Sequence, residues 1–302
     1  MADLAFLGPE GTFTHRAALD LARQGERLVP MDHAEDVIAA ISHGDAEGAV
    51  IAFENSLDGP VAANLDLLLA TEDEIVITAE RVIGVSFTLW RRPGDDSPLR
   101  SVAAHAVGLA QCQRFVRAND LTTRASSSNA AACREIAESD EPGWGALAGQ
   151  DAGAAFGLVA VTPDVGDDPR AATRFLRLGR HCPAPTGRDR SAFVLRPDQD
   201  RPGSLVHLLQ EFSGRGINMT AIKSRPTKEL LGEYVFFVET QGHLRDGRMQ
   251  DATLGLLRGS VDIRYLGSFP EDPTRPQPTS PRDEVRPEAT RLNAMLARTD
   301  AP

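Results

Sequence analysis

The first apolar run, Leu4-Ala5-Phe6-Leu7, is followed by apolar positions at helical spacing over about 13–24. The alternation then repeats: Val50-Ile51-Ala52-Phe53 precedes a helix over about 60–70, and Ile75-Val76-Ile77 and Val82-Ile83-Gly84-Val85 follow. Further on, Ser101-Val102-Ala103-Ala104 leads into a helix from about 107, a second helix starts at about 129, and Gly145-Ala146-Leu147-Ala148 closes the series. Short buried runs alternating with amphipathic helices predict a mainly parallel sheet, because each parallel step needs a crossover. There are too many strands for one βαβ unit. The pattern predicts two α/β lobes facing a cleft, with the chain crossing near 74–90 and ligands held between the lobes at strand C-terminal ends.

A Pro-, Asp-, Gly- and Arg-rich stretch over 163–190 breaks the rhythm, which resumes briefly as Thr173-Arg174-Phe175-Leu176-Arg177-Leu178. A boundary is expected near 182–190, giving a first domain over 1–182. The second domain, 190–270, reads as strand 191–196, helix 203–213, strand 217–225, strand 233–240, helix 248–258 and strand 261–268. That is a βαββαβ plan of ferredoxin-like type. Residues 271–302 hold six prolines and eleven charges with few large apolar side chains, so a disordered tail is expected there, with a short helix near 288–298.

Composition narrows the function. Lys plus Arg number 32 against 43 Asp plus Glu, a net charge of −11, which argues against a general binder of nucleic acid or anionic membrane. Any anionic ligand needs a local site. Cys112, Cys133 and Cys182 show no CxxC spacing, which fits reduced thiols and a cytoplasmic protein. The N-terminal run has no basic leader and breaks at Gly8-Pro9, so neither a signal peptide nor a membrane span is expected. The histidines lack HxxxH and HxH spacing, so no metal is expected either.

Small polar groups cluster where strands run into helices. Gly8-Pro9-Glu10-Gly11-Thr12-Phe13 opens the first helix, where backbone N–H groups and the Thr12 hydroxyl face an anion or simply cap the helix. Glu54-Asn55-Ser56 ends a buried strand, and a carboxylate directly after Ile51-Ala52-Phe53 requires a partner if buried. Ala104-His105, with Gln111-Cys112 beyond, offers another polar edge. Ser126-Ser127-Ser128-Asn129 supplies more hydroxyls than capping needs. No GxSxG nucleophile elbow is present.

Taken together, GPEGTF at 8–13, ENSLDG at 54–59, AHAVGLAQC at 104–112, SSSNAAA at 126–132 and TRF at 173–175 strongly resemble the prephenate dehydratase family. The second domain agrees: Gly203-Ser204-Leu205, Gly216 to Thr220, Ser224-Arg225-Pro226, Tyr234 to Phe237 and Gly242-His243 resemble its ACT regulatory module. The resemblance covers about 3–270. It implies a two-lobed, periplasmic-binding-protein-like catalytic domain followed by a ferredoxin-like ACT domain. It also implies conversion of prephenate to phenylpyruvate, water and carbon dioxide in phenylalanine biosynthesis, with phenylalanine as feedback effector and no cofactor. No helical chorismate mutase domain precedes the first strand, so a monofunctional enzyme is expected, as a homodimer or homotetramer.

By the same resemblance, Thr173 is the essential hydroxyl, expected to orient and donate to the leaving oxygen. Glu54 or a bound water is the expected ultimate source of the proton, and Arg174 is expected either to hold a substrate carboxylate as a fork or to pair structurally with an acidic side chain. Thr12, Asn55, Ser56, Ser127, Ser128 and Phe175 contact substrate. Gly203, Ser204, Leu205, Asn218, Ser224, Arg225 and Pro226 contact the effector. Three positions depart from the family's pattern: Ala52 replaces a proline, Arg170-Ala171-Ala172 lacks an asparagine, and Lys223 stands where the effector motif has a glutamate. Two other readings stay open at this point: arogenate dehydratase, and a non-catalytic binding protein that senses an amino acid.

Overall fold

A computed structural model describes residues 3–71, 74–150, 152–198, 201–227 and 233–274. The expected tail and its helix near 288–298 lie outside the described residues. The first lobe is built from β1 (Asp3–Leu7), α1 (Phe13–Leu21), β2 (Arg27–Met31), α2 (Ala34–His43), β3 (Gly48–Asn55), the two-residue β4 (Gly59–Pro60), α3 (Ala62–Ala70) and β5 (Val76–Gly84). The second follows with β6 (Thr88–Arg91), β7 (Ser101–Ala104), α4 (Ala106–Ala110), α5 (Gln113–Ala118), β8 (Thr122–Ala125), α6 (Asn129–Glu138), β9 (Trp144–Ala148) and β10 (Val159–Thr162). The chain then returns to the first lobe as β11 (Ala172–Gly179). The third sheet takes β12 (Asp189–Pro197), α7 (Ser204–Ser213), β13 (Met219–Pro226), β14 (Tyr234–Gln241), α8 (Gly247–Arg258) and β15 (Val261–Pro270).

Strand order is β2-β1-β3-β11-β5 in the first lobe, β10-β6-β9-β7-β8 in the second, and β13-β14-β12-β15 in the third sheet. β1, β2 and β3 pair in parallel, but β11 runs antiparallel between β3 and β5 because it arrives from the other lobe. Two passages join the lobes, one before β6 and one before β11. They are tied together where the Val85 N–H donates to the Ala171 carbonyl at 2.7 Å. The ferredoxin-like sheet is antiparallel throughout, with α7 and α8 over one face: Leu208, Phe212, Met249 and Leu256 pack there on Phe193, Leu195 and Val238.

The other face of that sheet is buried on the first lobe. Ala192, Val194, Phe237, Leu266 and Phe269 share one apolar core with Ile51, Phe53, Leu65, Ile77 and Leu176. Approach is close enough to require glycine at one point: Gly267 has φ +117°, and a Cβ there would lie 2.5 Å from the Ile77 carbonyl oxygen. Two residues past the expected boundary at 270 are also packed against the chain. Glu271 pairs with Arg190 at 2.8 Å, and Asp272, 1% exposed, accepts from the Val82 N–H at 2.6 Å. Charged composition hides this anchor, because its two carboxylates are held by partners from elsewhere in the chain.

Candidate active site

The cleft between the lobes encloses a cavity of about 720 Å³. Its floor in the first lobe is the end of the β3–β11 pair, where Asn55 stands opposite Thr173 and Glu54 opposite Arg174. The register slips between Arg174 and Phe175, which faces Ala52, leaving Phe53 as the extra residue of a bulge. Ala52, Asn55, Thr173 and Phe175 all line the cavity as a result, while Phe53 turns into the core beneath the third sheet.

Asn55 fixes how Thr173 is used. The Asn55 Oδ1 accepts from the backbone N–H groups of Leu57 at 2.8 Å and Asp58 at 3.2 Å. Its amide nitrogen is thereby aimed at Thr173 and donates to Oγ1 at 3.1 Å. A hydroxyl that accepts in this way keeps its own proton free to give. Thr173 is 9% exposed, so that proton is presented at a nearly closed wall of the cleft.

The other candidates separate by position. Thr12 lines the cavity as the N-cap of α1, accepting from the His15 N–H at 3.1 Å and donating to the Pro9 carbonyl at 3.0 Å. Ser128 lines it as the N-cap of α6, accepting from the Ala131 N–H at 2.9 Å. Ser127 lines it beside them. With Val61 at the start of α3 and His105 at the start of the short α4, four helix N-termini border the cleft, and the longer helices each bring roughly half a positive charge. Ser56 lies instead at the hinge, where its hydroxyl accepts from the Ala172 N–H at 2.9 Å.

Arg174 and Glu54 are not among the residues that line the cleft; Arg174 takes the structural ion pair left open for it, and Glu54 faces away from the position expected of a proton source. They occupy the opposite face of the strand pair. Both Arg174 Nη atoms donate to Glu239 of β14 at 2.9 Å, and its Nε donates to Glu80 of β5 at 2.6 Å. Burial works against the charge on this guanidinium, but Glu239 and Glu80 outweigh it, so its proton is held more tightly than in water. Glu54 pairs with Lys223 of β13 at 3.3 Å. Strand alternation explains both results: neighbours of cleft residues point away from the cleft.

Beyond the motif residues, Gln111 of the polar edge after His105 lines the cavity, as do Arg134 and Asp32, which no motif marks. Gln111, reached by helix α4, donates from Nε2 to Asp58 across the cleft at 3.0 Å, and its buried Oε1 has no hydrogen-bond partner. Arg134 lines the cavity from the second turn of α6, three residues after Ala131, which also lines it. That i, i+3 spacing from the serine-capped helix start is the signal that marks it. Asp32 adds a second carboxylate. Among the described residues, no cluster of His, Cys, Asp and Glu is arranged to hold a metal ion.

In the ferredoxin-like domain, Gly203 is the N-cap of α7 at φ +94°. With Ser204 it lines a separate cavity of about 330 Å³, beside Arg201, His207 and Ser260. Asn218, Ser224, Arg225 and Pro226 are not among the walls of that cavity. Arg225 instead pairs with Asp66 of α3 at 3.3 Å, and Asn218 donates to Gln241 at 3.2 Å. The two halves of the expected effector set are therefore not joined in one pocket.

Comparison with known proteins converges on one family. The profile described as prephenate dehydratase matches residues 4–183, and that of the ACT domain matches 199–256. A prephenate dehydratase of Mycolicibacterium smegmatis is 38% identical over 302 aligned residues, covering 94% of this chain and 96% of that protein. The crystal structure of prephenate dehydratase from Arthrobacter aurescens in complex with L-Phe superposes with a TM-score of 0.82 at 31% identity, covering 99% of this chain and 100% of that one. A chain described as GqqA, a novel type of quorum quenching acylases, superposes at 0.80 with 27% identity, covering 91% and 100%. The motifs on the cleft walls, the match along both domains and the shared architecture agree: the chain belongs to the prephenate dehydratase family.

Proposed function

We propose that the cleft converts prephenate to phenylpyruvate, and that the donor geometry of the Asn55–Thr173 pair carries the reaction. In this reaction the bond from the ring to its carboxylate breaks, and its electron pair completes the aromatic ring. The ring hydroxyl departs and takes one proton, so prephenate and a proton give phenylpyruvate, carbon dioxide and water. Aromatisation supplies the drive. The protein must orient the dianion, exclude water and assist the departing oxygen.

Thr173, its oxygen already satisfied by Asn55, donates to the leaving hydroxyl, a contact that strengthens as negative charge grows there. The proton on Thr173 is too weakly acidic to be surrendered alone, so a water in the cleft is its ultimate source. Glu54, paired on the opposite face, is not that source. The departing carboxylate becomes neutral carbon dioxide, so a strong cation there would stabilise the ground state and slow the step. Helix N-termini and the hydroxyls of Ser127 and Ser128 suit it better. The pyruvyl carboxylate keeps its charge throughout and can be held by Arg134 without loss of rate. Phe175 forms apolar wall for the ring. Gln111 Oε1, an acceptor without a partner, suits a substrate hydroxyl.

The ACT module reads as the regulatory part, with phenylalanine as effector, supported by the Arthrobacter neighbour solved with L-Phe. Its set Gly203, Ser204 and Leu205 would be completed by Asn218, Ser224, Arg225 and Pro226 of a second copy. The exposed apolar residues Val206, Ile222 and Tyr234 on the module support such a homo-oligomer. A dehydratase without a fused mutase is supported by a relative that bears only the dehydratase name and is matched over 96% of its length. Among the described residues no helix is long and apolar enough to cross a membrane, and work in the cytoplasm fits the three free cysteines.

Incubating the purified protein with prephenate and, separately, with arogenate tests the reading. Phenylpyruvate from prephenate is the expected result. Phenylalanine formed from arogenate alone would move the assignment to arogenate dehydratase, and consumption of neither would end it.

A further inference from the structure

The β3–β11 pair is gripped from behind at the two positions next to its cleft residues. Asn55 faces Thr173 on the cleft side, and the adjacent rung is Glu54 opposite Arg174. Each member of that rung holds an ACT residue of opposite charge: Glu54 meets Lys223 of β13, and Arg174 meets Glu239 of β14. We propose that Lys223 and Glu239 are positioning residues for the reaction, setting the separation of Asn55 and Thr173 through their strand neighbours. The proposal rests on the reading that Thr173 acts on the substrate.

The two grips differ in stiffness. Arg174 and Glu239 form a two-pronged pair backed by Glu80, and Arg190 of β12 adds a contact to Glu239 at 3.4 Å. A fork of this kind fixes orientation as well as distance. Lys223 is held differently: its Nζ is buried, lies 3.3 Å from Glu54 and 4.3 Å from the Phe53 ring centroid, and has no partner in hydrogen-bond geometry. It is the looser grip, and it sits on the same strand as Ser224-Arg225-Pro226, immediately before them. Movement of β13 would reach Glu54 through this contact, and then Asn55, one peptide away.

The hydrogen bond from Asn55 to Thr173 spans two strands, so a small change in their register alters which way the Thr173 proton points. Misplacement of about 1 Å at a reacting group can cost ~100-fold in rate. The effect belongs to kcat, because substrate contacts elsewhere in the cleft are untouched.

The test uses the full chain, with turnover of prephenate and hydrogen exchange over residues 50–58 and 170–178 measured on each protein. Lys223→Met removes the charge and keeps the stem, and is expected to lower kcat ~10-fold or more with KM unchanged within about twofold, and to speed exchange in both segments. The exchanged pair, Glu54→Lys with Lys223→Glu, restores opposite charges and is expected to recover both. Should Lys223→Met fail to fold, Lys223→Gln removes the charge and keeps a polar end. Normal kcat and exchange in the single variant would overturn the proposal. So would an exchanged pair with normal exchange but no recovery of kcat, which would make the contact structural only. A parent protein that turns over no prephenate would sink the dehydratase reading alone, and the exchange pattern would still decide whether these residues hold the strand pair.

Discussion

Asn55, Thr173 and Phe175 face the cleft from β3 and β11, whereas Glu54 and Arg174 face the ACT module from the same two strands. On these two strands the cleft side carries only neutral side chains, and helix N-termini border it. The opposite side concentrates charge: Arg174, Glu80, Glu239 and Arg190 are each at most 5% exposed. Different tasks account for the difference. A cleft that must release carbon dioxide gains nothing from clamping the departing carboxylate, while buried ions persist only when paired and so select one docking arrangement of the module. A charged residue beside one that lines the cleft is thus no guide to the chemistry until its face is known.

The largest effect expected is on the charged side. Arg174→Ala leaves the buried Glu80 and Glu239 without their shared fork, with longer contacts to Arg190 in its place, and should cost about 3 kcal/mol in denaturant unfolding. A variant as stable as the parent would break the contrast between the two faces. On the cleft side, Thr173→Ala should lower kcat by ~10²–10³ with the unfolding midpoint unchanged. Near-normal turnover by that folded variant would remove Thr173 from the chemistry.

Two smaller effects sharpen the comparison by probing the second lobe, away from the charged seam. The Asp95 carboxylate is buried, which would raise its pKa, but the N–H groups of Gly143 and Ser97 and the Arg91 guanidinium bring it down to about 2. Because the folded-state value lies below the ordinary 3.8, its stabilisation is present above about pH 4 and is lost as the pH falls toward 2. Asp95→Asn should therefore lower the melting temperature at pH 7, with the gap to the parent narrowing below pH 4. A gap independent of pH would assign the loss to something other than the charge. Burial pushes the Cys112 and Cys133 thiols up to about 12, so a thiol reagent should modify Cys182 alone in the native protein. Rapid loss of all three thiols would show the second lobe opening freely.

The ferredoxin-like domain was legible almost element by element, because its helices and strands each carry an apolar face: α7 and β14 fall within a residue of their expected bounds. The first lobe was less so. β2 is a half-polar edge strand containing Pro30, and no element was expected there. α2 went unassigned as well, although Val37, Ile38 and Ile41 give it a buried helical face. β5 reads as two runs in the sequence because Glu80 and Arg81 interrupt it, yet it is one strand whose Glu80 is buried against Arg174. β8, Thr-Thr-Arg-Ala, is exposed at every residue and has no apolar pattern to read, whereas the apolar run Val159-Ala160-Val161 of β10 is exposed in the fold.

The candidate site was legible where local motif and cleft coincide, at Thr12, Asn55, Ser127, Ser128, Thr173 and Phe175. Local sequence could not decide between site and ion pair for Glu54 and Arg174, whose partners Lys223 and Glu239 lie far along the chain. No spacing rule joins residues that meet only when two domains dock. Arg134 carries no motif of its own for the opposite reason: it is one of three charges on a helix whose sequence stands out for its cap.

The central claim is that Arg174 belongs to the seam and not to the substrate. The measurement that tests it most directly is the KM for prephenate of the Arg174→Gln, Glu239→Gln double variant, which removes both charges and keeps two hydrogen-bonding amides face to face. With the guanidinium outside the cleft, KM should stay within about twofold of the parent while kcat falls. A rise in KM of ~10-fold or more would mean that a substrate carboxylate had lost its partner, and would return Arg174 to the cleft.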